Sequence, residues 1–306
     1  MPGCIGTTRT LALSPGIGVL AAKSLCKSLF SPIAMGHDRL MQSLKFFLGH
    51  HKGGTRFVGN VLERFLAPEG RAVVPLSNPK WFDFDPAGAV ARAGPGAVGN
   101  YMNADYALLP QEAEFRAFHI LRCPRDTAVS AYYSHLHSHG TDYWPELVAH
   151  RARLAALDAG AGLLCDLDFT DALPTDGYDI GVFRAMAAWR FYDPRILELR
   201  FEDLIADPGP VLRRAFAFIG LLDPEDAAAC ARLEAAVAEF GFARMSGGRQ
   251  PGQRDDRAHY RNGRAGAWRD AFEARHHAWF AEHHPDLIAR IAQQSPVCGA
   301  VPQVAG

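Results

Sequence analysis

Hydrophobic positions in this chain alternate between short unbroken apolar runs and stretches where they return every three or four residues. Phe46, Phe47 and Leu48 form one such run, and Phe57, Val58, Val61, Leu62, Phe65 and Leu66 follow as a helical stripe closed by Pro68 and Gly70. The pattern predicts a buried strand, a turn and a helix packed on a sheet. The succession returns at 115–121, with Asp126 predicted to cap a helix running to about His139. A third strand is predicted over 195–200. Helices are predicted over 182–190, between Pro208 and Gly220, over the alanine-rich residues 224–240, and over 271–292 with a break near Pro285. Strands alternating with helices predict an α/β fold with a mainly parallel central sheet and helices on both faces.

Between these segments the pattern weakens. Residues 71–110 are rich in Gly and Pro, with Val73-Val74 and Trp81-Phe82 as short strand candidates, and read as substrate-facing loop. Residues 140–180 read as a connection with one helical piece over 147–157. An acidic patch follows at Asp166, Asp168 and Asp171, expected to be a solvated turn because the glycine and terminal glutamate of a calcium loop are missing. The loop 245–254 is expected to be mobile. An apolar run over 11–22 is interrupted by Pro15, Gly16 and Gly18 and is too short to span a bilayer. The expected organisation is an N-terminal extension (1–43), one domain (44–295) and a frayed C-terminal tail (296–306).

Composition narrows the function. With 306 residues and 48% hydrophobic content the chain can bury one continuous core. A net charge of −1 argues against sequence-independent nucleic-acid binding, so any anion site must be a local cluster. Six cysteines without CxxC spacing indicate neither a zinc site nor a disulfide framework, and fit a reduced compartment. Lysine stops at Lys80 while arginine and alanine abound, a bias of GC-rich bacterial genomes.

The strongest local signal is Phe46-Phe47-Leu48-Gly49-His50-His51-Lys52-Gly53-Gly54-Thr55-Arg56, a strand, a glycine turn and a helix start. Adjacent glycines let backbone N–H groups approach an anion, the helix N-terminus favours negative charge, and Lys52 and Thr55 add a cation and a hydroxyl. The lysine precedes both glycines, unlike the G-x-x-x-x-G-K-[ST] order of nucleoside triphosphatases. This order resembles the 5′-phosphosulfate loop of sulfotransferases that use 3′-phosphoadenosine 5′-phosphosulfate (PAPS), and the spelling is closest to the carbohydrate branch.

Two further stretches carry the same resemblance. Arg122-Cys123-Pro124-Arg125-Asp126-Thr127-Ala128-Val129-Ser130 matches the 3′-phosphate segment R-x-P-x-D-x-x-x-S, with Arg122 at a strand end and Ser130 on the following helix. Read from the residues alone, pairing of Arg122 with Asp126 fits equally well. Arg261-Asn262-Gly263-Arg264-Ala265-Gly266-Ala267-Trp268 resembles R-K-G-x-x-G-D-W, with Asn262 where lysine is usual and Ala267 where aspartate is usual. Phe242 stands where the family has an aromatic near adenine, and reads equally as a core residue. The resemblance spans residues 44–292. It implies a P-loop NTPase-like three-layer sandwich and a donor site formed by Lys52, Gly53, Gly54, Thr55, Arg56, Arg122, Ser130, Arg261, Asn262 and Gly263. No metal is expected.

Sulfuryl transfer needs alignment and charge stabilisation, and Lys52 is placed to stabilise the leaving oxygen. An alcohol acceptor also needs a base. Lys80-Trp81-Phe82-Asp83 resembles a His-Phe-Phe-Asp-like segment of carbohydrate relatives, making Asp83 the first candidate, followed by Glu63, Asp105 and His51. His135 and His139 share a helix face at metal-ligand spacing without a third ligand in sequence, or else line the acceptor pocket. The pairs His276-His277 and His283-His284 are expected at the surface. The resulting expectation is a cytoplasmic, bacterial, PAPS-dependent sulfotransferase acting on a hydroxyl of a small molecule or carbohydrate, with no nucleic-acid or membrane partner. The alternative is a nucleotide-binding module or phosphotransferase using the same loop.

Overall fold

A computed structural model of the protein describes residues 43–299. The expected N-terminal extension lies outside the described residues apart from Ser43, as does the tail from residue 300. The described residues hold seven strands: β1 (Leu44–Gly49), β2 (Val73–Leu76), β3 (Val98–Tyr101), β4 (Phe115–Leu121), the two-residue β5 (Pro174–Thr175) and β6 (Tyr178–Asp179), and β7 (Ile196–Arg200). Five form a sheet in the order β2-β3-β1-β4-β7 with every pairing parallel, and β5 and β6 make a separate antiparallel hairpin.

Strand β1 is central, which explains its unbroken apolar run. Phe47 packs into a core with Val58, Leu62 and Phe65 of the helix Thr55–Leu66 and with Phe216. Its neighbours Phe46 and Leu48 enter a second core with Val90, Tyr101 and Trp189. One strand alternating between two cores is the expected layered α/β sandwich. A third core beyond the carboxyl end of β4 joins Leu121, Val129, Leu163, Phe183, Trp268 and Phe280. In such a sheet ligands bind outside the carboxyl ends of the strands, and the loops after β1 and β4 emerge there.

Several local expectations give way to packing. Trp81 and Phe82 lie in the 3-10 turn Pro79–Phe82 rather than a strand: Pro79 lacks an N–H for a ladder, and Asn78 caps the turn by accepting from Lys80 N at 3.0 Å. Residues 140–180 contain two helices, Pro145–Ala155 and Ala159–Ala172. The acidic patch is not a solvated turn, because all three aspartates sit on the second of these helices. Asp166 is buried, Asp168 accepts from Trp279 Nε1 at 2.7 Å, and Asp171 lies 3.0 Å from His284 Nε2.

The helix after β4 runs over Pro124–Tyr133 with Cys123 at its N-cap, and a π-turn, Ser134–Ser138, continues it. The C-terminal region divides into the helices Trp268–Ala271, Ala274–His283 and Leu287–Ala292. His276 is buried, not at the surface, and closes a capping box by accepting from Glu273 N at 2.8 Å. The start of the tail is packed, with the 3-10 turn Pro296–Cys298 bringing the buried Cys298 Sγ within 2.8 Å of Cys123 Sγ. The loop 245–254 is stitched to the C-terminal motif by Arg249, which donates to Tyr260 O at 2.6 Å and Arg261 O at 3.0 Å. No helix among the described residues is long and apolar enough to cross a membrane.

Candidate active site

The loop after β1 turns through Lys52, held at φ 62°, and Gly54, at φ 82°. Gly54 is the N-cap of the helix Thr55–Leu66, whose first turn has neither a side-chain cap nor an acidic residue. Its leading N–H groups are therefore available to an anion. Gly53 shapes the turn and does not line the cavity. Its N–H donates to His50 O at 2.8 Å, and a Cβ there would stand 2.9 Å from the same oxygen. Lys52 Nζ donates to Ser134 Oγ at 2.8 Å.

The second stretch begins where β4 ends. Arg122 Nη1 donates to Lys52 O at 2.5 Å, and its guanidinium lies 4.2 Å above the Phe201 ring. Its buried Nε has no hydrogen-bond partner among the described residues. The alternative of an Arg122–Asp126 pair does not hold. Asp126 instead accepts from Gly266 N at 2.5 Å and Trp268 N at 3.1 Å, tying the second stretch to the third. Arg125 reinforces the tie, with its guanidinium 3.4 Å from the Trp268 ring centroid.

In the third stretch Arg261 lies 4.8 Å from the Tyr133 ring centroid and 3.4 Å from Asp256 Oδ1. Gly263 takes φ 61° beneath the Phe242 ring, whose edge would meet a Cβ at 2.9 Å. One cavity of about 730 Å³ is lined by Lys52, Gly54, Thr55 and Arg56, by Arg122 and Ser130, and by Arg261, Asn262, Gly263 and Phe242. Three segments far apart in sequence thus converge on one space.

Positive charge in this cavity is poorly balanced. Burial, with Arg122, Arg56 and Arg261 nearby, lowers the Lys52 ammonium to about 7, against a smaller opposing pull from Asp166. Burial likewise lowers Arg122 and Arg261 from the usual arginine range. Such a cluster is stabilised by a bound anion.

The other end of the cavity is aromatic and amide-rich, with Trp81, Tyr143, Trp144, Met102, Asn78 and Asn103. Asp83 is not there. It is exposed in a left-handed conformation, φ 53°, ending the 3-10 turn, and does not line the cavity. The same turn puts the exposed Trp81, and not Asp83, on the cavity wall. Asp105 is spent capping a turn, accepting from Ala107 N at 2.9 Å. Glu63 borders the cavity but sits eight residues along the helix from Thr55, about 12 Å at the α-helical rise. His51, next to Lys52, remains.

His51 belongs to a buried set that sequence reading did not assemble. Its Nε2 lies 3.1 Å from His135 Nε2, His135 Nδ1 lies 2.8 Å from Asp166 Oδ1, and His150 Nε2 lies 2.8 Å from the same oxygen. Thr170 Oγ1 donates to Asp166 Oδ2 at 3.1 Å. The side-chain atoms of His135, His150 and Asp166 lie within 4.8 Å of one another, and His139, the partner of His135 read from spacing, is not part of that group. Burial raises the Asp166 carboxyl, but the two histidines outweigh it and the net shift is downward, so Asp166 is a carboxylate. Burial, with His135, His139 and Lys52 nearby, holds His51 well below the ordinary histidine value. His139 and His259, also on the cavity wall, are lowered by burial and Lys52 to about 3 and about 4.

The sequence matches the profile of the sulfotransferase domain over residues 105–290. The chain belongs to the sulfotransferase family. The match includes the second and third stretches and stops short of the Lys52 loop, which the structure brings beside them. No curated protein is a significant match. Among solved structures, mouse sulfotransferase SULT7A1 complexed with PAP superposes with a TM-score of 0.51 at 18% identity, covering 84% of this chain and 87% of that chain. At that identity the likeness speaks to the fold.

Proposed function

We propose that the protein transfers a sulfuryl group from PAPS to a hydroxyl of a small molecule or carbohydrate. The observation that carries this reading is the cluster of Lys52, Arg56, Arg122 and Arg261 around an uncapped helix N-terminus, with a buried guanidinium nitrogen left over. Two groups of cations fit a nucleotide with phosphate at both ends. Thr55, Arg56 and the first-turn N–H groups suit the 5′-phosphate, and Arg122, Ser130, Arg261, Asn262 and Gly263 suit the 3′-phosphate. PAP in the complex of the mouse sulfotransferase supports the same donor.

Bound there, PAPS would supply the sulfuryl group and depart as PAP. Lys52 stabilises the charge that develops on the bridging oxygen, an interaction that strengthens as the bond breaks. Trp81, Tyr143 and Trp144 offer faces on which a sugar ring or an aromatic alcohol can lie, and the amides of Asn78 and Asn103 offer hydrogen bonds to its substituents. The lysine-before-glycine order and the absence of a hydroxyl adjoining Lys52 disfavour a magnesium-dependent phosphotransferase.

The test is incubation with PAPS labelled in its sulfate group and a panel of alcohols, phenols and sugars. Label in an acceptor, lost in Lys52→Ala, is the expected result. Transfer of phosphate from ATP with magnesium, and none of sulfate, would overturn the reading.

A further inference from the structure

The sequence offers several carboxylates as the acceptor's base, and the structure removes them from the reacting end of the cavity. What it puts beside Lys52 is an unbroken line of three polar side chains leading inward. We infer that His51 is the general base of this enzyme, and that the buried pair His135 and Asp166 orients it and takes up the charge it acquires. The inference rests on the sulfotransferase reading above and assigns that same site its missing group.

Proton positions along the line follow from the acceptors. A carboxylate only accepts, so Asp166 Oδ1 requires a proton on His135 Nδ1 and another on His150 Nε2. In the relay His135 enters the reaction with a lone pair at Nε2, and His51 donates to it from Nε2 across 3.1 Å. His51 is left with a lone pair on Nδ1, for which the described residues provide no hydrogen bond. Its ring is held by contacts with His135, His139 and Trp144, at centroid distances of 5.2, 5.7 and 6.4 Å. A base needs this preparation: one tautomer, one orientation and a vacant nitrogen.

The line also answers an electrostatic difficulty. An imidazolium at His51 would adjoin Lys52, and His135 on the turn Ser134–Ser138 and His139 just after it would face it as well. Relay moves the charge away. The acceptor O–H bond breaks and its proton goes to His51 Nδ1. The Nε2 proton of His51 passes to His135 Nε2, so the positive charge arrives against Asp166. The acceptor oxygen bonds to sulfur, and the bond from sulfur to the bridging oxygen breaks with its electron pair remaining on the 5′-phosphate, next to Lys52. The extra proton returns to solvent after the products leave. His139 and His259 line the cavity with no carboxylate bonded to them among the described residues, and so lack this means of holding a proton.

His51 is the catalytic residue here, and His135 and Asp166 are positioning residues. The first test needs no acceptor. Nitrogen-15 spectra of histidine-labelled protein at neutral pH should show His51 protonated on Nε2 and His135 on Nδ1, both neutral. The opposite tautomer at either ring, or one equivalent of metal bound by His135, His150 and Asp166, would overturn the relay.

The second test is kinetic, using labelled PAPS with water and with phenols of graded acidity. His51→Gln should lower turnover by about 10²–10⁴ while leaving PAP affinity within twofold of the parent, and the loss should shrink as the phenol becomes more acidic. Asp166→Asn should lower kcat rather than raise KM, and should add little in the His51→Gln background. Equal losses for every acceptor, or full additivity, would refute the assignment. Should the parent enzyme transfer sulfate to no hydroxyl, the sulfotransferase reading fails first. Should it transfer sulfate and His51→Gln do so equally well, only the relay fails.

Discussion

The Asp126 carboxylate accepts a hydrogen bond from the backbone N–H of Trp268 at 3.1 Å across 142 residues of sequence. With the bond from Gly266 N to its other oxygen, it locks the turn that follows Arg261 against the helix that carries Ser130. Asp126 borders the cavity nowhere. Its influence on donor binding is through the spacing of other groups.

Asp126→Ala should therefore weaken PAP binding at least tenfold without removing any contact to the nucleotide. It also strands two N–H groups, one of them buried, so unfolding free energy should fall by about 1–3 kcal/mol. Calorimetric titration and urea unfolding measure the two effects. A change in stability with undiminished PAP affinity would show that the third stretch holds its place without this carboxylate.

Lys52→Ala should lower kcat by about 10²–10³, the usual cost of one preorganised charge-stabilising group. Steady-state kinetics with saturating PAPS make the comparison. An effect confined to KM would mean that Lys52 binds the ground state and the transition state equally.

PAP affinity should depend on pH through the same lysine. The ammonium of free protein titrates near 7, and a bound phosphate raises that value. Below pH 7 Lys52 is charged before binding and affinity is full. As pH rises above 7 the free amine must take up a proton to bind, so affinity falls until the bound-state value is passed. Titrations at pH 8 in buffers of different ionisation enthalpy should register proton uptake, and Lys52→Arg should abolish it.

Trp81→Ala should raise KM for the acceptor and leave PAP affinity unchanged, because the exposed indole lies at the cavity's acceptor end. Initial-rate kinetics with each substrate varied in turn separates the two constants. A parallel loss of PAP affinity would place the indole against the nucleotide instead.

What the sequence made legible was local. Glycines beside cations at a strand-to-helix junction predict an anion site whatever surrounds them, and the Lys52, Arg122 and Arg261 stretches so read line one cavity, while the layered α/β fold followed from the alternation of apolar runs and helical stripes. The relay was illegible because His51, His135 and Asp166 come from a loop, a π-turn and a helix separated in sequence. Asp166 read as solvated because the apolar residues of the helix Ala159–Ala172 do not form a single stripe. That helix packs against the helices Pro124–Tyr133, Pro145–Ala155, Val182–Ala188 and Ala274–His283, and Asp166 is buried. Strand β3 was missed for a similar reason, since Val98-Gly99-Asn100-Tyr101 is a strand only because β1 and β2 pair with it. Asp83 stands off the cavity wall because it ends the 3-10 turn Pro79–Phe82, which the apolar pair Trp81-Phe82 does not disclose in the sequence.

The most direct test of the central claim is a crystal structure of the protein with PAP bound. The account predicts the 5′-phosphate against Lys52, Thr55 and the N-terminus of the helix Thr55–Leu66, and the 3′-phosphate between Arg122, Ser130 and Arg261. A nucleotide seated elsewhere, or with its 3′-phosphate in solvent, would contradict it.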